Sequence, residues 1–241
     1  MNSILVTGDS KGLGAEIVRV LLSEEKYLVV GISRSKNSTI EDLENKFPST
    51  YVHVNFDLGN PDEIKNLYLK DIKKYGQFVG LVNNAAIAYD DIVTNARVLP
   101  LETMFRINVY APIIFTKYII RDMLLNKKQG SFVHISSICA HTGYKGLSMY
   151  SATKGAIESF SRTVAREWGG MGIRSNCIAP GFIETGMSDT LTNEQKDRIF
   201  RRTSLKCATN PLDVAQLAAY LLSDKSKCIT GAVLPVDCGT I

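Results

Sequence analysis

Apolar positions along the chain come in short blocks whose period alternates between that of a strand and that of a helix. Residues 3–7 form a short apolar run, predicted to be a buried strand, and Ala15, Val18, Leu21 and Leu22 behind it carry helical spacing. Residues 28–32 predict a second strand, 39–47 a polar helix and the alternating stretch 51–56 a third strand. The stretch 61–75 is amphipathic through Ile64, Leu67 and Ile72, and the wholly apolar 78–82 follows it. A long helix is expected over 101–126, kinked or split by Pro112. A strand at 131–135, a helix at 148–168 and a strand at 174–179 come next. The chain closes with a short helix at 193–202, a helix at 211–222 and a strand at 232–236. Alternation of this kind predicts α/β architecture, with one parallel, doubly wound sheet flanked by helices on both faces.

Composition narrows the picture. The 241 residues suit one sizeable core, and with no repeat or Pro/Gly/Ser linker, residues 1–241 read as a single domain. The net charge of +4 fits an anionic ligand but is too weak to argue for nucleic acid. No apolar run reaches the ~18 residues of a membrane helix, and the N-terminus lacks the basic region of a signal peptide. The five cysteines form no C-x-x-C pair and no metal-type spacing with the three histidines, so reduced thiols in the cytoplasm are expected.

The first strand runs straight into Thr7-Gly8-Asp9-Ser10-Lys11-Gly12-Leu13-Gly14, and a helix follows. Strand, glycine turn and helix make the context of a dinucleotide fingerprint. Glycines admit a pyrophosphate close to the backbone, and the helix N-terminus offers free N–H groups. The sheet is therefore of Rossmann type. An acid at the end of the second strand would favour a ribose 2′-hydroxyl. Ser33 and Arg34 stand there instead, with Lys11 close by in the turn, and point to a 2′-phosphate, hence NADPH/NADP+. Asp57 ends the third strand, where it can meet an adenine amino group or cap the turn into Asn60-Pro61.

Tyr150 and Lys154 are four residues apart and share one helix face, with Ser137 at the preceding strand end. A phenol of pKa roughly 10 is a poor acid–base catalyst at neutral pH. A neighbouring ammonium would bring it down. Asn108 lies one turn before Pro112; it either holds a water on a freed carbonyl, giving a proton route, or is a satisfied core asparagine. The glycine turn, Asn83, Ser137 and Pro180 all fall at the carboxyl ends of strands, where such sheets bind ligands. The segment 88–100 reads as a rim loop and 183–210 as a lid. His141 and Cys139 flank Ser137 and read as loop residues, His134 and His53 as structural, and Trp168 as core or interface.

Taken together, the turn Thr7 to Gly14, Asp57, Asn83-Asn84-Ala85-Ala86, Asn108, Ser137, Tyr150-x-x-x-Lys154 and Pro180-Gly181 resemble the short-chain dehydrogenase/reductase family over essentially the whole chain. The segment 176–185 and the C-terminal stretch 229–239 are most similar to 3-oxoacyl-(acyl-carrier-protein) reductases within it. The resemblance implies that Tyr150 protonates a carbonyl oxygen, Ser137 holds it, Lys154 lowers the Tyr150 pKa and binds the nicotinamide ribose, and Asn108 keeps a relay water. It implies a dinucleotide site of Gly8, Ser10, Lys11, Gly12, Leu13, Gly14, Ser33, Arg34, Asp57, Leu58, Asn84, Ala85, Tyr150, Lys154, Pro180, Gly181, Ile183 and Thr185. It also implies a homotetramer (or homodimer) built through the helices at 101–126 and 148–168. The expected substrate is a 3-oxoacyl thioester on acyl carrier protein. A free ketone, polyketide or sugar is the alternative, and a non-catalytic dinucleotide sensor a third. The chain departs from the family pattern at Ala86, where glycine is usual, and at Asp9, an acid expected near the pyrophosphate or capping the next helix. Of two basic positions common in carrier-protein reductases, Lys128 is retained and the other is Met171, while Lys196, Arg198, Arg201, Arg202 and Lys206 charge the lid.

Overall fold

The computed structural model describes residues 1–184 and 192–241. Seven strands, β1 (Asn2–Thr7), β2 (Tyr27–Ser33), β3 (Tyr51–Asn55), β4 (Phe78–Asn83), β5 (Gly130–Ile135), β6 (Ile173–Pro180) and β7 (Val233–Val236), form one sheet in the order β3-β2-β1-β4-β5-β6-β7. Every pairing is parallel. Parallel strands need crossovers, and buried on both faces they read as near-continuous apolar runs. Helices α1 (Gly12–Ser23) and α8 (Pro211–Leu222) cover one face, where Ile17 and Leu21 pack with Val214 and Ala218. The other face packs Leu5, Val30 and Phe132 against Phe115, Ile119 and Met123. Strand order reverses at β1, between β2 and β4, so the ligand crevice opens beyond the carboxyl ends of β1 and β4.

Helix α2 (Ser38–Lys46) follows β2, with Asn37 accepting a hydrogen bond from Ile40 N as its cap. The expected helix over 61–75 is broken. A 3₁₀ turn Pro61–Glu63, α3 (Ile64–Leu67), a π turn Tyr68–Ile72 and a 3₁₀ turn Lys73–Tyr75 replace it. The widened turn lets Tyr68 and Ile72 both point inward; Tyr68 stacks on Tyr118 and donates to Asp122 Oδ2 at 2.8 Å.

The long helix begins at Val98, inside the expected rim loop. It comprises α4 (Val98–Phe105), a π turn Arg106–Tyr110 and α5 (Ala111–Leu125). The irregularity falls just before Pro112, as its missing N–H demands. On length and composition this stretch could cross a membrane, but Ala111, Phe115, Ile119 and Met123 pack it on the sheet. Helix α6 (Ser148–Trp168) and α7 (Asn193–Arg202) match their sequence patterns. In the segment expected to be a lid, Phe200 of α7 packs on Phe182, just before it, with ring centroids 6.1 Å apart.

Candidate active site

The turn between β1 and α1 needs its glycines. Gly8 (φ 75°) and Gly12 (φ 55°) are left-handed, a conformation costly to any residue with a Cβ. A methyl on Gly14 would sit 1.9 Å from the Gly8 carbonyl oxygen. Asn84 Nδ2 donates to the carbonyls of Thr7 and Gly8 at 3.0 and 3.3 Å, while Thr7 Oγ1 accepts from the backbone N–H groups of Asn84 and Ala85. The end of β4 is thereby locked to the turn. Among the described residues no side chain caps α1, which leaves its first N–H groups to an anion, with Ser10, Lys11 and Leu13 around them.

Ser33, at the carboxyl end of β2, has a buried hydroxyl with no hydrogen-bond partner among the described residues. Arg34 beside it is exposed, and Asn37 Nδ2 ties this loop to the glycine turn at Ser10 O, 2.8 Å. An orphaned hydroxyl, two exposed cations and a turn with no room for Cβ atoms fit a phosphorylated dinucleotide. Gly181, which the family resemblance assigns to the same cradle, is tightly packed: its N–H bonds Val236 O, and a methyl there would meet Asp237 Cα and Thr209 Oγ1, each at 2.7 Å. Ile183 is half-buried against the core beside Pro180-Gly181. Asp57 accepts from Gly59 N at 2.9 Å, so it caps the turn before Asn60. The Leu58 side chain is buried in the core, leaving main chain as what it can offer a ligand. Thr185 lies outside the described residues.

Asp9 corrects an expectation. It neither caps α1 nor faces the turn's ligand side. Its buried carboxylate points behind the turn, where Oδ2 accepts from Tyr51 Oη and pairs with His53 Nδ1, both at 2.7 Å. Gly31 makes the room, since a methyl there would lie 1.9 Å from Asp9 Oδ2. Burial alone would pull the His53 pKa down, but the hydrogen bond and charge of Asp9 outweigh it and raise it.

Beyond β5, Ser137 is extended and caps the turn Ile138–Ala140 by accepting from Cys139 N at 3.2 Å. Helix α6 brings Tyr150 and Lys154 alongside. Lys154 is buried, donates to Ile135 O at 2.8 Å and holds its ammonium 5.4 Å from the Tyr150 ring centroid. Burial pushes the Lys154 pKa down to about 8. Contrary to the sequence expectation, the Tyr150 pKa is raised. Burial is the main cause, Cys139 and Asp90 add to it, and a hydrogen bond with Ser137 opposes it. The lysine is committed to a strand carbonyl rather than to the phenol, and burial prevails.

Asn108 is a satisfied core residue in its side chain. It accepts from Ile87 N at 2.9 Å and donates to Ile87 O at 2.8 Å and to Thr153 Oγ1 at 3.1 Å. Its backbone carbonyl is another matter, because Pro112 has no N–H for an i+4 bond. Of the two alternatives raised for Asn108, the structure realises the satisfied core residue.

The residue patterns missed a clamp. Glu158, buried one turn beyond Lys154, accepts from Ser136 Oγ at 2.5 Å and pairs with His141 Nε2 at 2.9 Å. The strand end and the turn on either side of Ser137 are thus pinned to the helix carrying Tyr150. Glutamate on the inward face of an amphipathic helix was the available signal. His134, a core residue as expected, is held between Asn83 and Ser175, and burial drives its pKa to about 3. Asp90 was also missed; burial raises its pKa on the rim loop. Lys128 and Met171 precede β5 and β6, at the opposite end of the sheet from Ser137 in the same chain. Within residues 183–210, Lys196 pairs with Glu184 at 3.1 Å and Lys206 donates to Arg201 O at 2.8 Å.

Comparison with known proteins adds to this geometry. Residues 8–240 match the family described as Enoyl-(Acyl carrier protein) reductase. The 3-oxoacyl-[acyl-carrier-protein] reductase FabG of Buchnera aphidicola subsp. Baizongia pistaciae is 30% identical over 98% of this chain and 95% of its own. A structure of 4-hydroxyisoleucine dehydrogenase complexed with NADH superposes with a TM-score of 0.93 at 25% identity, covering 100% of this chain and 98% of that one. ElxO with NADP bound superposes at 0.89, with 27% identity, 99% of this chain and 98% of its own.

Proposed function

Because the chain belongs to the short-chain dehydrogenase/reductase family, we propose that it is an NADPH-dependent reductase converting a 3-oxoacyl thioester, carried on acyl carrier protein, to the 3-hydroxyacyl form. The observation that carries the reading is the meeting of Ser137, Tyr150 and Lys154 beyond β5, in a sheet whose first turn is shaped for a dinucleotide. The bound nicotinamide dinucleotide supplies a hydride to the carbonyl carbon. Tyr150 gives its proton to the carbonyl oxygen, which the Ser137 hydroxyl holds. With burial keeping the Tyr150 pKa high, the phenol retains that proton, the form a reduction consumes. Lys154 would hold the nicotinamide ribose and, charged beside it, assist the phenol. Its proton comes back by way of a water on the Asn108 carbonyl.

Ser33, Arg34 and Lys11 favour the 2′-phosphate of NADPH. By the family resemblance, Asp57 would hold the adenine, and Ile183 and Thr185 the carboxamide. The thioester preference draws on the similarity to the FabG of Buchnera aphidicola. We place the protein in the cytoplasm as a homotetramer or homodimer. A second reading, a free small hydroxy or keto substrate, is favoured by Met171 and by the likeness to 4-hydroxyisoleucine dehydrogenase.

One experiment separates them. Dinucleotide oxidation is followed with NADPH and with NADH on acetoacetyl carrier protein, a small acetoacetyl thioester and a panel of free ketones. Turnover of the thioesters with NADPH is expected. Turnover confined to free ketones would replace the first reading by the second, and faster turnover with NADH would remove the phosphate role of Arg34.

A further inference from the structure

The sequence pattern left the five cysteines as unrelated thiols, yet the fold brings two of them together. Cys207 lies five residues beyond α7 and Cys238 two residues beyond β7. Their sulfurs stand 3.4 Å apart, with Cys207 exposed and Cys238 partly so. Both backbones are fixed. Leu205 N donates to Cys238 O and Ser204 N to Gly239 O, each at 3.0 Å. Thr203 Oγ1 accepts from Cys207 N at 3.2 Å. Cys238 takes a left-handed φ of 56°, uncommon for a residue with a side chain. The Asp237 carboxylate holds it there by accepting from the N–H groups of Gly239, Thr240 and Ile241.

We propose that Cys207 and Cys238 form a redox-modification site that closes a reversible intramolecular disulfide when a small-molecule disulfide of the glutathione class acts on it. The gap to a bonded pair is about 1.4 Å, which side-chain rotation supplies without moving either backbone far. The order of events follows from exposure. The Cys207 thiolate attacks one sulfur of the oxidant, forming a mixed disulfide and releasing one small thiolate. The Cys238 thiolate then attacks the Cys207 sulfur and releases the second. Two protein thiols are oxidised and one small disulfide is reduced to two thiolates, which take up through solvent the two protons the cysteines gave up. Burial pushes the Cys238 thiol up, which suits it to the later, resolving step.

The bond would fasten the chain leaving α7 to the end of β7. Thr209, two residues on, donates to Val236 O, the carbonyl that also receives the Gly181 N–H. Oxidation therefore stiffens the surroundings of the cradle's Gly181. Its effect on turnover rests on the proposed function, whereas the disulfide itself does not.

The test uses the whole protein, incubated with oxidised glutathione. Peptide mapping should show one linkage, Cys207 to Cys238, in a chain about 2 Da lighter, reversed by dithiothreitol. The variants C207S and C238S should each lose the linkage while keeping the far-ultraviolet spectrum. A stable glutathione adduct at Cys207, a linkage to another cysteine or a bond between chains would overturn the site. With the disulfide formed, NADPH turnover should fall severalfold in the wild type and not in C207S. Unchanged turnover in an active enzyme would overturn the coupling to the cradle and leave the site standing.

Discussion

Asp9 shows how one side chain can stand in a ligand-binding turn and serve something else. Its carboxylate is buried with Tyr51 and His53, and the raised His53 pKa means that folding favours the charged imidazolium. The sign follows by linkage. The stabilisation is fully present below the unfolded His53 value of 6.5 and is lost as pH rises through the higher folded value. The melting temperature of His53→Gln should therefore trail the wild type most at about pH 6 and least at about pH 9. A pH-independent gap would refute the ion pair. Asp9→Ala, which leaves His53 and Tyr51 without their acceptor, should cost about 3 kcal/mol in chemical denaturation. Glu158 works differently, holding both flanks of Ser137 to α6. On the proposed chemistry, Glu158→Gln should lower kcat about tenfold, equivalent to ~1.4 kcal/mol, with the dinucleotide KM unchanged. A rise in the dinucleotide KM with kcat intact would assign Glu158 to the cofactor pocket instead.

The elements were legible in the sequence where packing repeats a simple period, and α6, α7 and α8 run over the expected residues. They were illegible where a distant partner sets the geometry. The π turn at Tyr68 answers to Asp122 and Tyr118, which local spacing does not encode. The split of the long helix was legible because Pro112 withholds an N–H whatever surrounds it. The same distinction runs through the site. The meeting of Tyr150 and Lys154 follows from a spacing of four, but the direction of the Tyr150 shift depends on burial and on the Ile135 carbonyl that takes the lysine. Pro112 gives the element-scale test. Pro112→Ala restores a donor for the Asn108 carbonyl and should remove the proposed proton relay. Stability should change by no more than about 1 kcal/mol, because a gained hydrogen bond offsets lost backbone restriction. The kcat should fall severalfold, most at alkaline pH; an unaltered pH–rate profile would exclude the carbonyl from the relay.

At the scale of the whole molecule, the proposed self-association makes a prediction about which surface meets another copy. The family resemblance pointed to two helices, the one at 101–126 and α6. Exposure separates them. On the stretch Val98–Leu125, Val98, Leu99, Tyr110 and Leu125 are 70%, 74%, 49% and 77% exposed, whereas α6 shows no large exposed apolar side chain. A groove of about 400 Å³ bordered by Asp62, Arg106, Tyr110 and Tyr118 runs beside the same stretch. Four large exposed apolar groups on this stretch, against none on α6, favour it as the association surface of the two. The α4–α5 stretch should therefore supply the apolar part of the self-interface, and α6 should contribute polar contacts at most. The double variant Tyr110→Glu, Leu125→Glu would place two carboxylates in that surface. Light scattering should show it at a smaller mass than the wild type, with the circular dichroism spectrum retained. Substitution of exposed polar positions on α6, Ser159→Glu for example, should leave the mass unchanged. Dissociation by the α6 change alone would reverse the assignment.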